Sequence, residues 1–408
     1  MRKSMTDIRN TITLKDAERL TGPRAFNLMI KPVGSACNLK CRYCYYLEKA
    51  ELYGGKEPKM SLELLEKCIR EYAEAVDVPE LTFNWHGGEP LLMGIDFYRK
   101  ALEYERKYAQ GRKIFNTIQT NGTMIDASWA GFLADNGFLV GISIDGPPEI
   151  HDRYRQDRGG APTFDKVMRG IGLLHRYGAE YNTMTTVNKC SEGKGAEVYR
   201  FLKSLGTRYM QFLPVHDEIL HKGRTVTAPW SVSPLGYGKF MTDIFDIWVR
   251  EDVGRFFVNL FDATLAGWCG VRPGTCVYDE TCGTNCVVEH NGDVYPCDHF
   301  VDDGYLAGNI GKESLAEIMG TPEIIRFGTD KRNTLPPVCL KCRWKSVCNG
   351  ECPQHRHTSG TEKGVNGLCE GLQHFYRHVS KDMDIMKELL SEHRPPALVS
   401  VIRQNGKV

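Results

Sequence analysis

The 408-residue chain contains no run approaching the roughly 20 consecutive apolar residues that a membrane-spanning helix needs. Its first segment, Met1 to Arg24, is polar and lacks the apolar core of about 7–15 residues that marks an export signal. Nor is one charge in excess: 52 Lys and Arg stand against 51 Asp and Glu, which argues against a nucleic acid or an anionic membrane as the main partner. These absences point to the cytoplasm, where thiols stay reduced, so the 15 cysteines are available as metal ligands more than as disulfide halves. The length allows two or three domains with a sizeable core.

A fourth cysteine is also missing beside Cys37, Cys41 and Cys44, in the stretch Ser35-Ala36-Cys37-Asn38-Leu39-Lys40-Cys41-Arg42-Tyr43-Cys44-Tyr45-Tyr46. Zinc usually takes four ligands in two close pairs, so it fits this loop poorly; buried free thiols are the other plain alternative. Three thiolates directly after the apolar run Phe26 to Val33 would leave one iron of a four-iron cluster open, and chemistry happens at open coordination positions. The C-x3-C-x2-C spacing, with Tyr43 before the last cysteine, resembles the signature of radical S-adenosylmethionine (SAM) enzymes. In that family the open iron is chelated by the methionine part of SAM.

From Phe26 to about Trp248 short β-rich runs alternate with amphipathic ones. Expected strands are Phe26–Val33, Leu81–Trp85, Ile114–Gln119, Leu139–Ile144, Asn182–Val187 and Tyr209–Leu213. Between them Leu62, Leu65, Ile69, Ala73 and Val76 keep the helical period behind the N-cap candidate Ser61, and Val167, Ile171 and Leu174 do so before Gly178. Six strand-helix units predict a parallel sheet flanked by helices, an α/β fold that forms a partial barrel with its chemistry at the C-terminal strand ends. His86-Gly87-Gly88-Glu89-Pro90 follows the second strand, and its glycines would let the backbone approach a ligand. It resembles the family's element that binds the SAM amino group; Gln119-Thr120-Asn121-Gly122-Thr123 resembles a second SAM-site turn. By the same resemblance Ser143 and Arg155 contact SAM, although Arg155 also reads as a solvated surface charge.

Near Trp248 the alternation gives way to Gly-, Pro- and Cys-rich sequence. The expected division is an N-terminal extension over 1–25, the barrel over 26–250, a cysteine-rich domain over 251–375 and a C-terminal helix and tail over 376–408. Cys282 and Cys297 around Gly292, then Cys339-x2-Cys342-x5-Cys348-x3-Cys352 and Cys369, match the seven-cysteine pattern of the SPASM extension of radical SAM enzymes, and Cys276 adds an eighth thiol. A zinc knuckle over Cys339 to Cys352 is the alternative. The resemblance implies that Cys276, Cys282, Cys297 and Cys352 hold one auxiliary [4Fe-4S] cluster and Cys339, Cys342, Cys348 and Cys369 another, three clusters in all. Cys68 and Cys190 read as small packing residues; Cys269 and Cys286 are left over, with Cys286 an alternative to Cys282.

From Ile30 to about Met386 the chain resembles the anaerobic sulfatase-maturating enzymes, through Lys31-Pro32-Val33-Gly34, Cys37–Lys49, Trp85–Pro90, Gln119–Thr123, Gly141–Pro147, Asn291–Phe300 and Cys348–Pro353. These enzymes oxidise a cysteine or serine of an unfolded or nascent sulfatase to Cα-formylglycine. A 5′-deoxyadenosyl radical takes a Cβ hydrogen, with electrons supplied by a donor such as ferredoxin or flavodoxin. Asp298, next to Cys297, is the implied general base; otherwise it is a charge beside the cluster. The alternative is a SPASM maturase that crosslinks a ribosomal peptide through a thioether or carbon-carbon bond.

Overall fold

In the computed structural model residues 25–54, 59–221, 223–357 and 363–406 are described, so the expected extension before residue 25 and the last two tail residues lie outside the described part. Six parallel strands form within two residues of their expected limits: β1 (Asn27–Lys31), β2 (Glu80–Trp85), β3 (Lys113–Thr120), β4 (Leu139–Ser143), β5 (Tyr181–Val187) and β6 (Tyr209–Pro214). Helices Leu62–Ala75, Ile95–Tyr108, Ala127–Asp135, Phe164–Tyr177 and Gly195–Ser204 connect them. The first starts where Ser61 Oγ accepts from the Leu64 amide at 3.2 Å, and the fourth ends at Gly178 in the left-handed conformation (φ 72°), as such caps require. Leu28, Ile30, Leu81, Phe83, Val140 and Ile142 are fully buried under these helices.

The sheet continues past the six strands at both edges. After the hairpin β7 (Glu218–His221) and β8 (Arg224–Thr227), the short β9 (Phe257–Val258) adds beside β6. On the far edge β10 (Asn285–Glu289) pairs in parallel with β1, setting Ile30 opposite Val288 and Lys31 opposite Glu289. Two antiparallel strands, β11 (Asp293–Tyr295) and β12 (Gly308–Asn309), complete the order β12-β11-β10-β1-β2-β3-β4-β5-β6-β9. The compositional change near Trp248 is therefore not a break in the sheet. The buried run Cys286-Val287-Val288 carries strand character into the cysteine-rich half.

The C-terminal helix begins at Cys369, seven residues before its expected start, and runs to Ser391. It crosses helix Pro234–Glu251 so closely that a Cβ on Gly371 would lie 1.8 Å from the Pro234 carbonyl oxygen, and the Phe375 ring stacks on Phe261 at 5.7 Å. Among the described residues no helix is long and apolar enough to cross a membrane.

One buried charge supports the end of β2. Trp85 Nε1 donates to Asn116 Oδ1 at 2.7 Å, and Asn116 Nδ2 donates to Glu105 Oε2 at 2.7 Å. Burial pushes the Glu105 carboxyl up to about 7, against the opposing Asn116 bond. A carboxyl whose folded pKa lies above its unfolded value binds more protons when folded, so its contribution to stability falls as pH rises from about 4.5 to about 7. Glu105→Gln should therefore gain on the parent by on the order of 2–3 kcal/mol between pH 5 and pH 8, read by denaturant unfolding at both pH values. An equal difference at the two pH values would show that Glu105 does not titrate across this range.

Candidate functional site

The first cysteine trio lies on the loop leaving β1, and its three sulfurs act electrostatically on one another. Burial pushes the Cys37 thiol up to about 12 and the Cys41 thiol up to about 11. Two turns grip this loop. The amides of Gly88 and Glu89 donate to the carbonyls of Gly34 and Ala36, each at 2.8 Å. A Cβ on Gly88 would stand 2.1 Å from the Ala36 oxygen, so this glycine makes room for the cysteine loop rather than for a ligand directly. Asn121 Nδ2 donates to Asn38 Oδ1 at 2.8 Å and lies 3.7 Å from Cys37 Sγ; Asn38 Nδ2 donates to Thr123 Oγ1 at 2.8 Å.

Glu89 ties the turns together. Its carboxylate accepts from the Leu91 amide (3.0 Å), Thr120 Oγ1 (2.8 Å) and the Asn121 amide (2.9 Å). The side chain is fully buried and burial holds it at about 7 despite these donors. Its carboxylate thus positions the Gly87–Pro90 and Thr120–Asn121 turns against each other.

Ser143 ends β4, where its Oγ accepts from Gln119 Nε2 at 3.0 Å. Two residues on, the fully buried Asp145 receives the Tyr43 hydroxyl, the Thr186 amide at 3.0 Å and Arg155, whose Nε lies 3.0 Å away. The Arg155 side chain is only 9% exposed and its field reaches Cys41, so it is not a solvated surface charge. Tyr43, Asp145 and Arg155 form one buried unit beside the trio.

The eight downstream cysteines divide into two groups by which thiols bear on which. Cys276 and Cys352 both act on Cys297, and Cys276 also acts on Cys282 and Cys352. Cys369 and Cys342 act on Cys339, and Cys369 and Cys339 act on Cys348. Cys286 belongs to neither set: it is fully buried in the core, within reach of the equally buried Cys68. Cys190 Sγ is engaged by Asn188 Oδ1 at 2.9 Å, and Cys269 caps helix Asn259–Trp268.

Lys331 tests whether these residues suit an iron-sulfur group. It is 1% exposed, and its ammonium donates to the carbonyls of Cys276 and Val277 and, among the described residues, to no carboxylate. A buried ammonium is costly without a counter-charge. Cys282, Cys276 and Cys352 stand around it. Glu351 also acts on it but is engaged by His355 and Asn366; as thiolates holding a cluster the cysteines would add the anionic charge that this ammonium favours, so the donor set fits.

Asp298 faces the trio from the other half of the chain. Tyr45, next to Cys44, donates its hydroxyl to Asp298 Oδ2 at 2.7 Å. Burial alone would raise the Asp298 carboxyl, but His299, Lys31 and His86 around it, with the Tyr45 hydroxyl, hold it below the usual carboxylate range. Sequence reasoning missed Lys31, which is fully buried with its ammonium 3.5 Å from the Tyr46 ring centroid and without a hydrogen-bond partner. Tyr46 in turn donates to Glu289, directly across from Lys31 in the β1–β10 register. Lysine at the end of an apolar run ordinarily reads as a strand terminus; only its pairing partner reveals that it is covered.

The Radical SAM superfamily profile matches residues 32–202, and the iron-sulfur cluster-binding SPASM profile matches residues 276–343. The serine-type anaerobic sulfatase-maturating enzyme of Bacteroides thetaiotaomicron is 45% identical over 93% of this chain and 96% of its own length. The cysteine-type enzyme of Clostridium novyi is 35% identical over 90% and 98%. A solved structure described as native anSMEcpe with bound AdoMet and Cp18Cys peptide superposes with a TM-score of 0.81 at 33% identity, covering 90% of this chain and 99% of that one. Relatedness of this depth runs through both cysteine-rich halves and the strands between them, and the chain belongs to the anaerobic sulfatase-maturating enzymes.

Proposed function

We propose that this radical SAM enzyme oxidises a cysteine or serine of an unfolded sulfatase polypeptide to Cα-formylglycine, with Asp298 as general base. The observation that carries this reading is the Tyr45–Asp298 hydrogen bond, which fixes a buried, ionised carboxylate one residue from Cys297 and beside the Cys44 loop. A base needs such fixed geometry and must be unprotonated when the substrate arrives. In this reading Cys37, Cys41 and Cys44 hold the SAM-binding cluster, while Cys276, Cys282, Cys297 and Cys352, and separately Cys339, Cys342, Cys348 and Cys369, hold two auxiliary [4Fe-4S] clusters. When bound, SAM and its cluster supply a 5′-deoxyadenosyl radical that takes a hydrogen from the substrate Cβ.

The chain's own residues bind, orient and accept the proton. Gly87, Gly88, Glu89 and Asn121 shape the turns that hold the cysteine loop, and with Ser143, Arg155 and Tyr43 they would bind SAM; Asp145 keeps Arg155 and Tyr43 in place. Asp298 takes the proton from the substrate Sγ or Oγ, and Tyr45 holds the carboxylate toward it. The bound peptide of the related solved structure and the serine- and cysteine-type relatives support a peptide substrate carrying either residue. An electron donor such as ferredoxin or flavodoxin, in the cytoplasm, completes the reading. The crosslinking alternative is less favoured, because relatives 35–45% identical over most of this chain are sulfatase-maturating enzymes.

Anaerobically reconstituted protein should hold about twelve irons, and replacing Cys37, Cys41 and Cys44 with alanine should remove about four and abolish SAM cleavage. Zinc near one equivalent with little iron would sink the reading. Asp298→Asn should lower peptide oxidation by at least ~10²-fold while SAM cleavage survives; wild-type aldehyde formation would move the base elsewhere. A peptide with Cys or Ser before x-Pro-x-Arg, deuterated at that residue's Cβ, should pass one deuterium to 5′-deoxyadenosine and gain a hydrazine-reactive aldehyde, both read by mass spectrometry. Deuterium transferred only from Cα, or a peptide that has lost two hydrogens without an aldehyde, would favour the crosslinker.

A further inference from the structure

We propose that Lys331 and Arg356 form a cationic bridge between the two cysteine quartets and set how readily the iron-sulfur groups there accept the substrate's electron; this rests on the quartets holding clusters as read above. Both are positioning residues that touch no substrate. Lys331, on helix Pro322–Asn333, donates from its buried ammonium to the carbonyls of Cys276 and Val277, at 2.7 Å for the latter. Arg356 lies four residues after Cys352 and donates from Nη2 to the Lys331 carbonyl at 2.8 Å and from Nη1 to Thr334 Oγ1 at 3.3 Å. Its Nε is buried and has no hydrogen-bond partner among the described residues.

Placement makes the pair a bridge. The sulfurs facing Lys331 are Cys282, Cys276 and Cys352, all of one quartet. Those facing Arg356 are Cys339 of the other quartet together with Cys282 and Cys352. The nearby buried acid, Glu351, is already engaged by His355 Nδ1 at 2.9 Å and by the Asn366 amide. Among the described residues neither cation has a carboxylate among its hydrogen-bond partners, and the charge of each also bears on the sulfurs.

The reaction needs such charge there. Substrate oxidation removes one hydrogen atom from Cβ, one proton from Sγ or Oγ to Asp298, and one electron; together these convert the single bond from Cβ to sulfur or oxygen into a double bond. The electron enters a thiolate-held group that is already anionic, and passes on to an oxidised ferredoxin- or flavodoxin-type carrier. Added negative charge in a buried site is disfavoured unless fixed cations offset it, and charge and hydrogen bonding around the sulfurs are what tune cluster potentials.

The test is a redox titration monitored by electron paramagnetic resonance, on reconstituted wild-type, Lys331→Met, Lys331→Arg and Arg356→Gln proteins without substrate, with iron counted in each. Lys331→Met should move one cluster's midpoint to more negative potential by about tenfold in its reduction equilibrium, about 59 mV for one electron. Lys331→Arg should restore it, and Arg356→Gln should shift two clusters. Wild-type potentials in Lys331→Met and Arg356→Gln at full iron content overturn the bridge. If Lys331→Met loses iron, Arg356→Gln alone decides by the same criterion. Shifted potentials in an enzyme that makes no formylglycine would support the bridge and sink the proposed reaction; unshifted potentials in an enzyme that makes it would do the reverse. Wild-type protein with only about four irons would overturn both.

Discussion

The pairing of β10 with β1 is the contact on which the rest depends. Parallel neighbours cannot be joined by a tight turn, so the chain builds the whole barrel between them before returning to the starting edge. The return has two effects. It covers an edge that would otherwise expose unpaired backbone groups, and it carries Glu289, Cys297 and Asp298 to the side of the cysteine loop that leaves β1. Without that register Tyr45 and Asp298, 253 positions apart, would have no reason to meet.

Below the loop, the same register encloses charge. Lys31 and Glu289 stand opposite each other, Tyr46 lies over the lysine and donates to the glutamate, and Asp298 lies within their field. Two halves of the chain thus share one polar interior, each contributing groups that would be costly to bury alone. The trio loop is held in the same way from the barrel side, where the Gly88 and Glu89 amides and the Asn121 and Thr123 side chains bind it through main-chain and side-chain hydrogen bonds.

The barrel was legible in the sequence because its periods are strong: apolar strands of five to eight residues separated by amphipathic helices with clear caps. β9 and β12, of two residues each, are too short to leave a pattern, and β10 was hidden by its setting among Gly and Cys residues. Of the candidate site, the cysteines and the turns were readable as spacing. What escaped was burial. Arg155, Lys31 and Lys331 are cations whose exposure depends on elements distant in sequence, and nothing local distinguishes them from surface charges. The glycine at 88 was readable as a close approach, but the thing approached is the Ala36 carbonyl. Cys286 had ligand-like spacing from Cys282, yet strand alternation turns it into the core beside Cys68.

The crossing at Gly371 bears on the placement of a cysteine. Cys369 is the first residue of the C-terminal helix, while Cys339, Cys342 and Cys348 lie on the segment before it. Cys369 stands within reach of Cys339 and Cys348 when that helix seats on Pro234–Glu251, through a contact that tolerates no side chain at Gly371. A backbone-to-backbone contact between two helices thereby decides where a thiol of the cysteine-rich half can stand.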